Sequence, residues 1–375
     1  MRKNILIISR DFPPNSGGIS VYAYETFKRL SKKFNIKVFT TSGIKNKKII
    51  RITKSSTDIF QFVIKSFLYG LEENFDIIFA TTYFHALPGI FLKILKKKPL
   101  VTNIQDLGII EYIKIKSLIK FIKYLVHKLA ISYSDIIIVP SEIVKKDIKK
   151  FFKIKDEKIV VIPNGFNKSL FHPQINPQKV RKKLKISRNI KVILSVGLLP
   201  KKGTEYLVEA CGLLKNKYNF DNFCLIIVGD KDKRFDRYYQ KIEKIIRSYK
   251  LYENIKFVGS MEQKELRYFY KSCDVFVAAS YYGEGFGIPC VEASAVGKPV
   301  VATKLFEKSG TVINNKTGLI VSPKNSIALA KAILKLLTNN KLRKTLGKNG
   351  IDFVKKFDWD DHCNKLIEII DKIII

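Results

Sequence analysis

The stretch EGFGIPCVE, residues 284–292, sets two carboxylates, Glu284 and Glu292, around a turn containing Gly285, Gly287 and Pro289. Such a pair suits an acid–base couple, a clamp on a polar ligand, or simply a helix start stabilised by an acid. Pro289 favours the first turn of a helix, since its fixed φ fits there and its missing N–H costs nothing. The spacing predicts a helix over 289–295, with Glu292 in its first turn and Glu284 in the approach loop. Lys202-Gly203 closes the loop LLPKKG and opens another helix, where an ammonium and the following amides could meet a phosphate. Gly17-Gly18 ends DFPPNSGG before a helix, so amides and helix dipole could receive an anion, with glycine allowing close approach. The plainer readings are a solvated lysine and a loop-closing turn. Neither loop carries G-x-G-x-x-G or Walker spacing, which disfavours a dinucleotide dehydrogenase and a P-loop ATPase.

These loops need elements to hold them. The first forty residues read as strand (Ile5–Ser9), loop, helix (Ile19–Lys33) and strand (Ile36–Thr41), and residues 190–228 repeat the plan. Further short apolar runs (DIIFAT, PLVTNI, DIIIVP, DVFVAA, PVVAT) alternate with helix-like segments, the pattern of parallel sheets with crossover helices. The fold class is α/β, with two doubly wound, Rossmann-like domains. Breakers in PNGFNKSLFHPQINPQ place the boundary so that 1–172 and 173–356 form the domains, with a terminal helix over about 357–375 crossing back to the first. Ligands of open parallel sheets bind at strand carboxyl ends, so the expected site is a cleft between two such faces.

Composition bounds the rest. At 375 residues, roughly 150 per domain suggests two domains. With 46% hydrophobic residues and no Pro-, Ser- or Gln-rich tract, both should fold. The apolar run Ile5–Ile8 is shorter than a secretory core of roughly 7–15 residues, and no window nears the roughly 18 apolar residues of a spanning helix. Five dispersed cysteines without a CxxC fit a reducing compartment, and four histidines without metal spacing suggest no metal. The expected location is cytoplasmic, soluble or peripheral on the inner face of the membrane.

Lys and Arg number 69 against 33 Asp and Glu, a net charge of +36 that points to polyanionic surroundings. Lysine outweighs arginine, which argues for diffuse attraction rather than bidentate base reading. No specific nucleic acid is expected, although a nucleic-acid-binding protein is the rival class and would show steeply salt-dependent affinity. In YIKIKSLIKFIKYLVHKLA, residues 112–130, Ile115, Leu118, Ile119, Ile122, Leu125, Val126 and Leu129 recur at helical spacing opposite Lys116, Lys120, Lys123 and His127. That predicts a helix covering a sheet with its apolar side and offering its basic side to solvent or to an anionic membrane surface.

The opening segment also matches a family. E-G-F-G-I-P-C-V-E followed by A-x-A-x-G-K-P-V-V-A-T resembles the retaining glycosyltransferases of the GT-B fold, family 4 (group 1) type. DFPPNSGGISVY, VPSEIVKKDI, VIPNGFNKSLFHP, SVGLLPKKGTEYLVEA, LIIVGD, FVGSMEQKELRYFYKSCDVFVAAS and NKTGLIVSP resemble it in order along almost the whole chain. The resemblance implies a nucleotide-diphosphate sugar donor, UDP- or GDP-linked, no separate cofactor, and a glycan or lipid-linked acceptor. It implies that Glu292 holds the donor ribose, that Glu284 and the amides of Phe286, Gly287 and Ile288 hold the transferred sugar, and that Lys202 binds diphosphate. Gly17 and Gly18 would press on the same diphosphate, and Val258 and Gly259 would lie near the base. The DFPPNSGGI opening leans toward mannosyl-transferring relatives.

Breaking a sugar–phosphate bond builds positive charge at the anomeric carbon and negative charge on the leaving diphosphate. A lysine and amide array aimed at the latter favours the transition state without requiring a metal. The two glutamates are not expected to act as a glycosidase pair flanking a scissile bond. Two departures stand out: GLLPKKG lacks the arginine that many relatives carry after the glycine, and Gln105 in VTNIQDL stands where relatives commonly have histidine. Gln105 can hydrogen-bond a sugar hydroxyl but cannot become cationic, so a catalytically weakened homologue is the alternative. LFEKSGT, residues 305–311, replaces the usual glycine-rich loop. Glycan phosphorylases and non-hydrolysing sugar-nucleotide epimerases share the two-domain plan.

Overall fold

The computed structural model describes residues 2–13, 17–41, 46–53, 58–107 and 118–374. The chain divides into two compact units, Met1–Gly165 with Trp359–Ile375, and Phe166–Asp358. In the first, the order is β1 (Asn4–Ile8), α1 (Gly18–Leu30), β2 (Asn35–Thr40), β3 (Ile49–Arg51), α2 (Ile59–Glu72), β4 (Ile77–Ala80), α3 (Ala86–Lys96), β5 (Leu100–Asn103), α4 (Leu118–Tyr133), β6 (Ile136–Val139), α5 (Glu142–Phe152) and β7 (Ile159–Val161). Seven parallel strands run in the order β3-β2-β1-β4-β5-β6-β7. Ile5 to Ile8 and Ile77 to Ala80 are buried because helices cover both sheet faces, hence their unbroken apolar runs.

The second unit contains α6 (Gln178–Lys183), β8 (Lys191–Val196), α7 (Thr204–Asn216), β9 (Phe223–Val228), α8 (Asp236–Ser248), β10 (Ile255–Phe257), α9 (Gln263–Ser272), β11 (Val275–Ala278), α10 (Ile288–Ala295), β12 (Val300–Thr303), α11 (Lys304–Lys308), β13 (Gly318–Val321), α12 (Ser326–Thr338) and α13 (Asn340–Val354). Its six parallel strands follow β10-β9-β8-β11-β12-β13. Strand order reverses between β1 and β4 in one sheet and between β8 and β11 in the other. At such switch points the adjacent loops diverge and open a crevice at the carboxyl ends.

The terminal helix α14 (Trp359–Ile373) belongs to the first unit, where Trp359, Leu366 and Ile370 share a core with Ile5, Ile7 and Tyr22. Its His362 meets the Pro163 carbonyl oxygen through Nδ1 at 2.9 Å and the Tyr22 hydroxyl through Nε2 at 3.2 Å. The unit boundary follows Gly165, earlier than the expected 172. The Phe166 amide donates to the Phe357 carbonyl at 3.3 Å, and the Phe171 ring meets Tyr270 at 5.8 Å, so this stretch packs with the second unit.

Helix α4 corrects one expectation. Residues 112–117, with Ile115 and Lys116, lie outside the described residues, as do the side chains of Ile119 and Lys120. Over the rest, Leu118, Ile122, Leu125 and Leu129 are exposed, whereas His127 is buried. Val126 is buried, and Ala130 and Ile131 pack into the cores that cover the sheet. His127 stacks on Tyr83 with ring centroids 3.4 Å apart, so of the side expected to be basic and solvated His127 faces inward, while Lys123 is half-buried.

Candidate functional site

The loops after β8 and β11 meet at the switch point of the second sheet. Gly203 takes φ 66° between a short turn and α7, and a Cβ there would stand 2.4 Å from the Ala279 carbonyl oxygen. Only glycine satisfies both demands, and this close approach brings Lys202 beside the β11 loop. Lys202 Nζ donates to Glu284 Oε1 at 2.6 Å, and Ser280 Oγ donates to the same oxygen at 3.0 Å. Lys201 Nζ donates to the Gly283 carbonyl at 2.9 Å. Burial pushes the Glu284 carboxyl up, but the charges of Lys202 and Lys201 and the hydrogen bonds from Lys202 and Ser280 outweigh it and leave the pKa below its ordinary value. Glu284 is therefore an ionised, largely desolvated acid with a cation in contact. Lys202, Ser280, Ser195 and Pro289 line one narrow crevice.

Glu292 lies just beyond the first turn of α10 rather than in it, because the helix begins at Ile288, with Gly287 as its cap at φ 99°. A Cβ on Gly287 would meet the Phe306 ring at 2.5 Å, so the turn is held against α11. Phe286 is buried, and its carbonyl accepts from Ser309 Oγ at 2.7 Å and Thr311 Oγ1 at 3.1 Å. These bonds from the LFEKSGT segment hold the turn from behind. The leading amides of a helix have no partner within it; here Pro289 has no N–H and the Cys290 amide donates to the Gly287 carbonyl at 2.9 Å, so the one left at the helix start is that of Ile288. Glu292 accepts from the Tyr270 hydroxyl at 2.8 Å and from Gln263 Nε2 at 3.3 Å. Burial raises its pKa to about 8, against a lowering contribution from the Tyr270 hydrogen bond.

Val258 and Gly259 follow β10. The Gly259 carbonyl accepts from the Gly229 amide at 2.9 Å, and Asp230 accepts from the amide of Ser260 at 2.8 Å and from its hydroxyl. This pins the loop after β10 to that after β9 at the carboxyl edge of the sheet. The described structure thus links Lys202 with Glu284, anchors Glu292 to α9, and sets Val258-Gly259 beside Gly229-Asp230.

In the first unit, Gly17 caps α1 at φ 129° and Gly18 is its first residue. A Cβ on either would touch nothing described within 4 Å, so no packing contact among the described residues calls for their small size. Gln105 follows β5 and is held at both ends of its amide. Its Nε2 donates to Asn103 Oδ1 at 3.1 Å and Asn164 Oδ1 at 3.3 Å, and its Oε1 accepts from Asn164 Nδ2 at 2.6 Å. Beside it, Asn103 Nδ2 donates to the Thr81 carbonyl at 3.2 Å. His85 Nε2 accepts from the Arg10 amide at 3.2 Å, so Nδ1 carries the proton toward Thr81 Oγ1 at 2.9 Å. Burial, aided by the Arg10 charge, lowers the His85 pKa to about 3, so this imidazole is neutral. A cavity of about 450 Å³ lies among Asn4, Asn35, Lys37 and Glu73 at the strand starts, the end that open parallel sheets do not use for ligands.

Both polar constellations thus sit at strand carboxyl ends beside a switch point. The group 1 glycosyl transferases match residues 176–353, and glycosyltransferase family 4 matches residues 16–170. An uncharacterised glycosyltransferase of Methanocaldococcus jannaschii is 31% identical over 281 residues, covering 74% of this chain and 70% of its own. The chain belongs to the group 1, family 4 glycosyltransferases. Phosphatidyl-myo-inositol mannosyltransferase of Mycobacterium leprae is 32% identical over 177 residues, 46% of this chain and 44% of the relative. Anabaena HepE, solved with UDP-glucose, has a TM-score of 0.84 over 99% of this chain and 100% of its own at 22% identity, a likeness of GT-B fold.

For this glycosyltransferase, reading the sequence missed Ser280, Tyr270 and Gln263 in one unit and Arg10, Thr81, His85 and Asn164 in the other. Asn164 stood in plain view within VIPNGF but read as a turn-former. Tyr270 lies on the apolar face of α9, where a hydroxyl gives no periodic signal.

Proposed function

We propose that the protein is a retaining hexosyltransferase that moves a sugar, mannose being favoured, from a UDP- or GDP-sugar to a glycan or lipid-linked acceptor. The single observation that carries the site is the half-buried Lys202–Glu284 pair at the switch point of the second sheet. Lys202 would turn to the donor diphosphate, and Glu284, with the α10 amides, would accept and donate bonds around the sugar. Glu292 would bind ribose hydroxyls, with Val258 and Gly259 beside the base and Gly17-Gly18 against the diphosphate. Gln105 would orient an acceptor or sugar hydroxyl as a neutral dipole.

In the reaction, the bond from the anomeric carbon to the phosphate oxygen breaks and its electron pair leaves with the diphosphate. The acceptor oxygen bonds that carbon on the same face, and its proton passes to the departing phosphate. Lys202 stabilises the charge that grows on the leaving group, which favours the transition state over the bound donor. That cationic role supports metal-independent chemistry, and activity retained in excess EDTA checks it. The M. leprae relative's name supports the mannosyl and lipid-linked leanings, and the UDP-glucose bound to HepE supports a nucleotide-sugar donor. A cytoplasmic, membrane-peripheral location goes with such an acceptor; among the described residues no helix is long and apolar enough to cross a membrane.

Thermal stabilisation across a panel of UDP- and GDP-sugars tests the donor, since ligand at 100 times its Kd adds roughly 2.7 kcal/mol. Product anomeric configuration by NMR tests retention. No stabilisation by any member of the panel, together with salt-sensitive RNA or DNA binding, would replace this reading with the nucleic-acid one.

A further inference from the structure

We propose that the outward face of α2, α3 and α4 is a docking surface for an anionic lipid bilayer. Each helix turns an apolar stripe to solvent at helical spacing. On α2 it is Phe60, Ile64, Leu68 and Leu71, on α3 Phe91 and Leu95, and on α4 Leu118, Ile122, Leu125 and Leu129. The stripes form one patch because the helices pack side by side. Gly70 of α2 admits Leu92 of α3, the rings of Phe67 and Phe91 meet at 5.8 Å, and Lys93 of α3 donates to the Tyr133 carbonyl of α4 at 2.8 Å. Of the nineteen large apolar residues exposed among those described, fifteen lie on these three helices. Monomer surfaces rarely expose contiguous apolar area beyond a few hundred Å², so such a face marks a contact.

Charge selects the occupant. The three helices carry six lysines against the single acid Glu72, and Lys97 and Lys98 follow α3 directly; Lys93 and Lys98 pair with Asp135 and Asp76, whereas Lys65, Lys97, Lys123 and Lys128 make no ion pair among the described residues. A second copy would bring these lysines together in a chain of net charge +36. A bilayer with anionic headgroups instead takes the apolar stripes into its acyl boundary and pairs the flanking ammonium groups, whose stems reach along the apolar surface. The two most exposed side chains of the patch, Phe60 at 75% and Leu118 at 74%, stand at or near the starts of α2 and α4. In crossover helices those starts lie at the strand carboxyl ends, where Gln105, Asn103 and His85 cluster. Docking this face holds that polar cluster close to the membrane, which deepens the lipid-linked acceptor reading and rests on it for its purpose.

Flotation of the full chain with vesicles of phosphatidylcholine, with and without phosphatidylglycerol, tests the assignment. The wild type is expected to float only with the anionic vesicles. The triple substitution Phe60→Ser, Ile122→Ser, Leu125→Ser is expected to lower partitioning about tenfold or more, while Tyr252→Ser, an exposed ring of the second unit, leaves it unchanged. Unchanged melting temperature and unchanged stabilisation by the nucleotide-sugar panel show that the triple variant is folded. Absent flotation of the wild type, equal flotation with neutral vesicles, or undiminished flotation of the triple variant overturns the proposal. So does lipid-free self-association that the same substitutions abolish, which assigns the face to a second copy. Vesicle binding without any donor stabilisation would instead defeat the transferase reading and leave this surface standing.

Discussion

Glu284 and Glu292 stand eight residues apart, the second buried and the first nearly so, one before α10 and one within it, yet their surroundings drive them in opposite directions. Glu284 has an ammonium at 2.6 Å, a hydroxyl on the same oxygen and a second lysine nearby, and its pKa falls below the ordinary value. Among the described residues Glu292 has a phenol and an amide as partners and no cation, and its pKa rises to about 8. Burial acts alike on both; the difference is whether a cation shares the site. A buried acid with a cation is a charged element ready to exchange partners with an ionic ligand. A buried acid without one stays largely protonated at neutral pH, so its best use is hydrogen bonding to hydroxyls.

Breaking the charged side of this contrast should have the largest effect. Lys202→Ala is expected to lower turnover roughly a hundredfold or more, because it removes the cation facing the leaving group. It should also destabilise the fold by up to about 3 kcal/mol, since it takes the contacting cation from a largely desolvated Glu284 and leaves only Ser280 and the more distant Lys201 to offset its charge. Steady-state kinetics and urea unfolding read the two losses. Normal values in both would end the case for a paired site.

Replacing the uncharged partner should do the reverse to stability. Because the Glu292 pKa is raised above its ordinary 4.5, the unfolded chain releases this proton first, so the group's contribution to stability falls as pH climbs from about 4.5 to about 8 and then levels. By pH 7 the accumulated cost is on the order of 3 kcal/mol. Glu292→Gln should erase that slope, making the variant increasingly more stable than wild type across this window while weakening donor binding. Parallel stability profiles for the two proteins would contradict the assigned environment. Glu284, with a depressed pKa, shows the opposite behaviour: its contribution is present above its unfolded pKa and is lost as pH falls through the lower folded value.

Tyr270→Phe sharpens the same contrast on a smaller scale. Loss of one buried hydrogen bond should cost about 1 kcal/mol and move the Glu292 titration further upward, as judged by the pH at which stability levels off. Smallest of all is Gln105→Ala. The neutral amide it removes should cost no more than about tenfold in turnover, and a larger loss would give Gln105 a charge-handling role that its chemistry does not support.

Much of the scaffold could be read directly. Unbroken runs such as Ile5–Ile8 demand burial on both faces, which demands parallel strands covered by helices, and the β-α-β plan follows from their spacing. The pairing of Lys202 with Glu284 could not be read this way, because eighty-two positions separate them and only the β8–β11 switch point joins their loops. Helix α4 was legible as amphipathic, but periodicity cannot say which side faces the sheet when apolar residues occupy more than one side. The unit boundary slipped for a related reason: the proline and asparagine breakers of residues 163–178 mark an irregular stretch, whereas packing of Phe166 and Phe171 decides which core owns it.

The sequence by itself determined the two-sheet architecture and the family, together with the residue types of the donor loops, since those depend on local spacing, turn chemistry and apolar runs. Only the tertiary structure decided which acid keeps its charge, how Gln105 is held, and that α2, α3 and α4 turn their apolar stripes outward together. Those outcomes depend on which distant side chains share a few cubic ångströms or one open face, and strand order sets that, not position along the chain.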